Sequence, residues 1–199
     1  MSYHGGRVVP HVSVVPVFWN SEAIGISQLI AFYKALVAPN AYFGLLTEYS
    51  VPSLNQTIGF GDSPSAYIAS EANYAVLPDS FIQATMSRWF QNNQLAQPNA
   101  DGSSYYPIHV PRYDLCASVG CGYHTSFQYN GISVLYGVIP ECGCASENTP
   151  FIDNLQITAS HELAEAVTDP EWGAWIGPGG EIGDLCEGTN QWDAVVLGE

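Results

Sequence analysis

The segment 160–165 carries residue types whose spacing suits the binding of a metal ion. His161 and Glu165 are four residues apart, so on a helix they share one face. An imidazole and a carboxylate at that spacing can hold one divalent cation, as the two histidines of an H-E-x-x-H zinc helix do. Glu162 follows His161 directly, where its carboxylate can act as a general base on a water. The pattern therefore predicts a Zn²⁺ site with Glu162 as the base.

A third ligand has to come from another segment, and residues 181–187 offer three carboxylates. Asp184 lies 23 residues after His161, has a short side chain with few rotamers, and is followed by Cys186, whose disulfide would fix its position. Glu181 follows Gly-Gly, so we expect it to be exposed and more costly in entropy to order. We expect Asp184 to complete the site with His161 and Glu165; Glu181 and Glu187 are the competing candidates.

A solvated helix face would also explain a bare H-E-x-x-E pattern. Against that interpretation, the remaining positions of this helix are small or apolar, which indicates burial; they are Ile157, Ala159, Leu163, Ala164, Ala166 and Val167. A carboxylate on a buried helix needs a partner. No Lys or Arg follows Arg112 in the sequence, so a metal ion is the partner we expect. Asp169 precedes Pro170 and is interpreted as a turn residue.

Composition excludes several classes of partner. The 199 residues contain 4 Lys+Arg against 19 Asp+Glu, a formal net charge of -15, which argues against binding nucleic acid or anionic membranes. The hydrophobic fraction of 47% argues against disorder, and no window is long and apolar enough to cross a bilayer. The length predicts one domain over residues 1–199.

The five cysteines indicate disulfides more than metal ligation. Their C-x4-C and C-x-C spacings differ from the C-x2-C of zinc knuckles, and clustered cysteines are typical of oxidising compartments. We expect Cys116 to bridge Cys121 and Cys186 to bridge Cys142 or Cys144, with one thiol left over. With a single Lys as well, the chain is expected to be secreted and extracellular, although residues 1–10 show no signal-peptide pattern.

The hydrophobic patterns predict the elements that must position these residues. Strands are expected at 8–19, 41–49, 56–60, 105–110, 123–129 and 132–139, with Pro10 and Pro16 placing the first near a sheet edge or a bulge. Helices are expected after Asn20 or Ser21, from Asp79, and over 153–167 with Asp153 as N-cap. Asn130-Gly131 predicts a hairpin turn. This order predicts an α+β (mixed α/β) domain with a twisted mixed sheet.

The run Ser160-His161-Glu162-Leu163-Ala164-Glu165-Ala166-Val167-Thr168-Asp169-Pro170, followed by Glu181-Ile182-Gly183-Asp184-Leu185-Cys186-Glu187-Gly188, resembles the Exordium or phosphate-induced protein family of plants and its microbial relatives. Cys121-Gly122-Tyr123-His124, the strand near 14–19 and the early helix match as well, so the resemblance spans most of the chain. It implies a zincin-like domain. The plant members are secreted, cell-wall-associated and linked to growth, and the microbial relatives look like HExxE-type zinc metallopeptidases. The family continues past the D-L-C-E-G motif, so the resemblance implies a chain truncated or processed at its end.

Taken together, these observations predict a secreted zinc metallopeptidase that hydrolyses a peptide or protein substrate. His124 and Tyr123 are candidate donors to the oxyanion, and a packed strand-end residue is the alternative interpretation of His124. His109 is expected to be a packed strand residue, and His4 and His11 to lie at the surface. The alternative function is a non-enzymatic secreted cell-wall or glycan-binding protein with a structural metal; Trp172, Trp175 and Trp192 suit a peptide cleft or a glycan face.

Overall fold

The computed structural model describes residues 1–39, 41–111, 120–142 and 149–186, without the side chains of Ala41 and Cys186. Within these ranges four α-helices form: α1 (Ile26–Val37), α2 (Ala41–Leu45), α3 (Asp79–Gln91) and α4 (Phe151–Thr168). The strands are β1 (Ser2–Tyr3), β2 (Ser13–Val14), β3 (Val17–Phe18), β4 (Tyr67–Ile68), β5 (Ser104–Val110), β6 (Tyr123–Tyr129), β7 (Ile132–Pro140) and β8 (Trp175–Ile176). Short 3-10 turns cover Leu46–Tyr49, Pro52–Leu54 and Asp184–Cys186. The expected α+β class is confirmed.

A six-stranded mixed sheet forms the centre of the molecule. Its strand order is β4-β3-β5-β7-β6, and β2 also pairs with β5. All of these pairs are parallel except β6 with β7, which are antiparallel neighbours in a hairpin. Asn130 and Gly131 connect them with φ values of 51° and 80°, the left-handed pair that a tight two-residue hairpin needs. The predicted hairpin is confirmed, and β6 is the last strand on this side of the sheet among the described residues.

Each face of the sheet packs against different helices because successive side chains of a strand point to opposite faces. One core contains Tyr105 and Leu135 together with residues of α1 and α4. The other contains Tyr106 and Tyr136 together with residues of α3. Helices therefore cover both faces of the sheet, and α4 lies on the same face as α1.

Three of the predicted strands are wrong or too long. Residues 41–49 are helical because Phe43 and Leu46, three apart, are buried while Leu45 is exposed, a helical spacing. Residues 56–60 form no strand; Gln56 makes only an isolated bridge with Val51.

The predicted strand at 8–19 is reduced to β2 and β3, which follow one another along β5 on either side of Pro16. This strand is also not at a sheet edge, since β3 lies between β4 and β5. The Pro16 carbonyl accepts a hydrogen bond from Tyr67 N.

The helices are predicted more accurately, although their caps differ. The helix at 153–167 is confirmed as α4, but its N-cap is Pro150, and Asp153 lies in the first turn. The early helix begins at Ile26 after Gly25, whose φ is 68°. Asn20 Oδ1 instead accepts a hydrogen bond from Glu22 N.

His109 is a packed strand residue, as expected. Its ring stacks on Phe18 and its Nε2 lies 3.0 Å from the hydroxyl of Tyr33. Burial lowers the pKa of His109 to about 3, so the folded chain holds this imidazole neutral. His4 and His11 are exposed, as predicted.

We expect His109 to destabilise the protein progressively as the pH falls below about 6.5. The unfolded chain then binds a proton that the folded chain excludes, so between pH 7 and pH 5 this residue should remove roughly 2 kcal/mol from the free energy of unfolding. Denaturant melts of wild type and His109→Gln at both pH values measure the difference. His11→Gln is the matched control, and an equal loss of stability in wild type and His109→Gln would contradict the prediction.

Candidate metal centre

Helix α4 brings His161, Glu162 and Glu165 to the sheet. One side of the helix, which includes Ala159 and Leu163, is buried. Polar residues on this side of the helix are therefore buried as well. The carboxylates of Glu162 and Glu165 are almost fully buried, whereas His161 is partly exposed. The helical spacing thus places two carboxylates where each needs a partner.

His161, Glu165 and Asp184 form a group that we call the outer cluster. His161 Nε2 lies 3.1 Å from Glu165 Oε1 and 3.6 Å from Asp184 Oδ1. One ligand atom from each residue lies within 4.8 Å of the others, an arrangement that could hold a metal ion. The three residues predicted as ligands are therefore brought together, with Asp184 the most exposed of them.

Two glycines allow the loop with Asp184 to approach helix α4. A Cβ on Gly183 would lie 2.7 Å from three atoms of the His161 ring, so only glycine permits this face-on contact. The Gly183 amide also donates to Glu165 Oε1 at 3.1 Å. At Gly180 the φ is 127° and a Cβ would clash with the Asp184 carboxylate. Gly180 and Gly183, which make a continuous helix improbable in this segment, therefore allow the segment to pack against helix α4.

His124, Glu162 and Glu165 form a second group, the inner cluster. His124 Nδ1 lies 3.6 Å from Glu162 Oε2 and 3.6 Å from Glu165 Oε2, and these three residues could also hold a metal ion. Trp172 stacks on the His124 ring at an interplanar angle of 5° and is itself exposed. The side chain of His124 is 2% exposed. This position favours a ligand or orienting role for His124 over direct contact with a substrate.

Glu181 is buried, so the expectation that it would be exposed is wrong. Its Oε1 lies 3.5 Å from His124 Nε2, on the side of the ring opposite to the inner cluster. The reason is local: Asp184 Oδ2 accepts a hydrogen bond from the Glu181 backbone N–H at 3.0 Å, which folds the loop back on itself. Glu181 therefore contacts His124 instead of the outer cluster. Glu187, the other competing ligand, lies outside the described residues.

The pKa values reflect opposing effects of burial and charge. Burial alone would lower the pKa of His124, but hydrogen bonding to Glu162 and Glu165 and the nearby Glu181 raise it to about 10. For His161, burial again lowers the pKa, but the contact with Glu165 raises it, and the pKa is about 9.

The carboxylates diverge for the same two reasons. Burial would raise the pKa of Glu165, but hydrogen bonds from both imidazoles lower it to about 2. Burial raises the pKa of Glu162. It also raises that of Glu181, to about 8, where Glu165 and Asp169 add to the effect. Adjacent carboxylates with such different pKa values are typical of functional sites.

Two other candidate residues, Tyr123 and Trp175, make their contacts away from the clusters, whereas Asp169 borders the inner cluster through its backbone carbonyl, 3.4 Å from His124 Nε2. Tyr123 is on the opposite face of the sheet, where its hydroxyl donates to Asp79 of α3 at 2.8 Å, so the expectation that Tyr123 could donate to an oxyanion at this site is wrong. Trp175 packs against Tyr3 and Tyr49. Asp169 is a turn residue as expected, because its Oδ1 accepts hydrogen bonds from the backbone N–H groups of residues 173 and 174.

The disulfide predictions are only partly within the described residues. Cys121 and Cys142 are each disulfide-bonded. Cys116 and Cys144 lie outside the described residues, as does Trp192, and the side chain of Cys186 is not described. The predicted pairings therefore stay predictions.

Sequence reasoning missed Tyr105. Its hydroxyl is fully buried without a hydrogen-bond partner among the described residues. Burial raises its pKa, and Tyr33 and the charges of Glu162 and Glu165 add to the effect. A Cβ on Gly137 would clash with this hydroxyl, and Gly137 pairs with His124 in the sheet. The glycine inside a strand was the available signal, since it often marks a close approach.

Comparison with models of protein families and with curated proteins finds no match for this chain. Among the described residues no single helix is both long enough and apolar enough to cross a membrane. Two consecutive helical segments, Ile26–Val37 and Tyr42–Tyr49, reach that length and apolarity only when they are taken together, and they are bent by 44° relative to each other.

We expect Gly183→Ala to weaken metal binding at the outer cluster. The added Cβ would overlap the His161 ring, so the loop or the ring must move and the spacing of His161 and Asp184 is lost. Isothermal titration with Zn²⁺ measures the effect, for which we expect at least a tenfold loss of affinity, as for changes that misorient a ligand. Gly173→Ala is the matched control because its Cβ would meet nothing within 4 Å; equal affinities in the two variants would contradict the prediction.

Proposed function

We propose that this protein is a zinc-dependent metallopeptidase of zincin-like fold whose outer cluster holds the catalytic ion. The observation that carries the proposal is the convergence of His161, Glu165 and Asp184 beside Glu162. Among the described residues no Lys or Arg pairs with these carboxylates. Arg7 pairs with Glu171 and Arg88 with Glu71 instead. The resemblance to the microbial relatives of the Exordium family supports the same conclusion.

The donor set suits zinc. One imidazole nitrogen and two carboxylate oxygens are ordinary zinc ligands, and three protein ligands leave a position open for water or substrate. Two ligands about 2.1 Å from a tetrahedral ion lie roughly 3.4 Å apart. The separations of 3.1 Å and 3.6 Å from His161 Nε2 bracket that value.

The chain's own groups fit the roles that peptide hydrolysis requires. A bound Zn²⁺ would supply a Lewis acid for the scissile carbonyl and lower the pKa of a water. Glu162 accepts the proton from the attacking water and returns it to the leaving amine; burial favours this because it raises the pKa of the carboxyl. Glu165 lies four residues after His161 on α4. The Gly183 N–H donates to its carboxylate and so fixes its position.

The accessible side of the site is the side of the outer cluster. Asp184 and His161 retain exposed fractions of 37% and 16%, against 6% for Glu162. Trp172, exposed next to His124 with a φ of 58°, offers an aromatic surface beside this opening. A peptide or protein substrate would approach from there, in an extracellular setting that suits the acidic composition.

A structural metal in a non-enzymatic cell-wall or glycan-binding protein is the second candidate. The burial of Glu162, Glu165 and His124 favours it, since an ion at such carboxylates contributes to folding, and Trp172 suits a sugar ring. Turnover separates the two functions: a zinc-loaded protein that binds cell-wall glycan but cleaves no peptide supports the second.

We expect Glu162→Gln to remove nearly all peptidase activity while preserving the fold. The amide cannot accept the proton, so kcat should fall by about 100-fold or more. Hydrolysis of a denatured protein substrate, at one Zn²⁺ per chain, is the assay. Glu171→Gln, at an acidic residue that pairs with Arg7 away from the site, is the control. Activity of Glu162→Gln equal to that of the control would refute the role of Glu162.

Asp184→Ala should lose the outer ion, whereas Glu181→Ala should keep it. The structure supports this difference because Asp184 contacts His161 and Glu181 contacts His124. Metal content after dialysis and the melting temperature with and without Zn²⁺ measure it; wild type and Glu181→Ala should be stabilised by the metal and Asp184→Ala should not. Stoichiometric metal in Asp184→Ala combined with its loss in Glu181→Ala would show that the ligand assignment is wrong.

A further inference from the structure

The inner cluster has features that the proposed function does not use. His124 is the only imidazole among the described residues that lies between carboxylates on both sides: Glu162 and Glu165 near Nδ1, and Glu181 near Nε2. Peptide hydrolysis with Glu162 as the base does not require this second imidazole. The burial of His124, whose side chain is 2% exposed, therefore needs a separate explanation.

We propose that His124 Nδ1, Glu162 Oε2 and Glu165 Oε2 form a second divalent-cation site that shares Glu165 with the outer cluster. The proposal goes beyond the proposed function, because it makes Glu162 Oε2 a ligand. The role of Glu162 as a base therefore belongs to the protein with the outer site alone occupied, and the inner site stands whether or not the outer cluster binds metal. Glu165 is the residue common to both groups: its Oε1 faces His161 and its Oε2 faces His124. A carboxylate that presents one oxygen to each of two ligand sets is suited to bridge two ions.

The two sides of the His124 ring are arranged as in a metal ligand. A ligating histidine commonly donates its other ring N–H to a carboxylate or a backbone carbonyl, which fixes the tautomer. His124 Nε2 lies 3.5 Å from Glu181 Oε1 and 3.4 Å from the carbonyl oxygen of Asp169. With a metal ion at the inner cluster, an Nε2–H would face these two oxygens, and the lone pair of Nδ1 would face the ion between Glu162 and Glu165. The spacing of 3.6 Å from Nδ1 to each oxygen is that of ligands around one small ion.

Charge balance favours a second ion. The ligand carboxylates of the two clusters, Glu162, Glu165 and Asp184, carry three negative charges when they bind metal, and imidazoles that bind metal are neutral. One divalent cation would leave one of these charges uncompensated in a largely buried site, which is costly.

The hydroxyl of Tyr105 is an independent observation that points to a ligand here. It is 0% exposed, has no hydrogen-bond partner among the described residues, and lies against Gly137, the residue that pairs with His124 in the sheet. A buried hydroxyl without a partner costs free energy. It is available to a water or oxygen ligand of an ion at the inner cluster.

The test is the number of Zn²⁺ ions bound per chain. Wild type, His124→Ala, His161→Ala and the control His11→Ala are prepared metal-free and equilibrated with Zn²⁺ by dialysis, and elemental analysis counts the bound ions. We expect two ions per chain in wild type and in the control, and one in each of the other variants. One ion in wild type that His161→Ala removes and His124→Ala retains overturns the proposal and leaves the outer site intact. One ion that only His124→Ala removes supports the inner site and excludes the outer one; no bound ion at all excludes both.

A measurement on wild type covers the case in which His124→Ala does not fold. X-ray absorption of the protein loaded with two Zn²⁺ should show a zinc–zinc distance of roughly 3.5–4 Å, as in carboxylate-bridged pairs. Two bound ions without such a distance would contradict the sharing of Glu165. Glu162→Gln, which alters one inner ligand conservatively, should lower the affinity for the second ion at least tenfold and leave the first unchanged; equal affinities for both ions in this variant and wild type would also overturn the proposal.

Discussion

The buried carboxylate of Glu165 is the group on which the arrangement of the site depends. One of its oxygens contacts His161 Nε2 and accepts the Gly183 N–H, and the other faces His124 Nδ1. These partners come from helix α4, from the loop before Asp184 and from strand β6. Because an unpartnered buried carboxylate is costly, all three elements have to converge on it, and their convergence defines both clusters.

The register of the β6–β7 hairpin determines which residues reach this carboxylate. Alternation along β6 sends Tyr123 to the face covered by α3 and His124 to the face covered by α4. A shift of one residue would exchange them and place a tyrosine among the carboxylates. The Asn130-Gly131 turn fixes the register. Gly137, paired with His124, leaves room for the Tyr105 ring below.

The parts of the site that are local in sequence could be predicted. The i, i+4 spacing of His161 and Glu165 and the helix that carries them follow from periodicity. The position of Asp184 follows from its short side chain among glycines. These features depend on neighbours a few residues away, where a sequence pattern constrains geometry directly.

The non-local parts could not be predicted. Parallel pairing of β5 with β7 and the burial of Glu181 depend on contacts between segments far apart in the sequence. The helix at 41–49 has the same cause: its apolar residues fit a strand or a helix equally well until Leu46 packs against the core. Tyr105 in the site was hidden for the same reason, since only the close approach of Gly137 places its hydroxyl there.

The acidic composition and the site are aspects of one physical problem. With 4 Lys+Arg against 19 Asp+Glu, the chain has few cations to compensate buried carboxylates, and Arg7 and Arg88 are used on other pairs. In the metal-free protein the compensation falls to His124 and His161, whose pKa values are raised accordingly. A metal ion bound at either cluster would compete with protons for these imidazoles and would release protons from them. His161 and Asp184 are partly exposed whereas His124 is not, so an ion arriving from solvent would meet the outer cluster first.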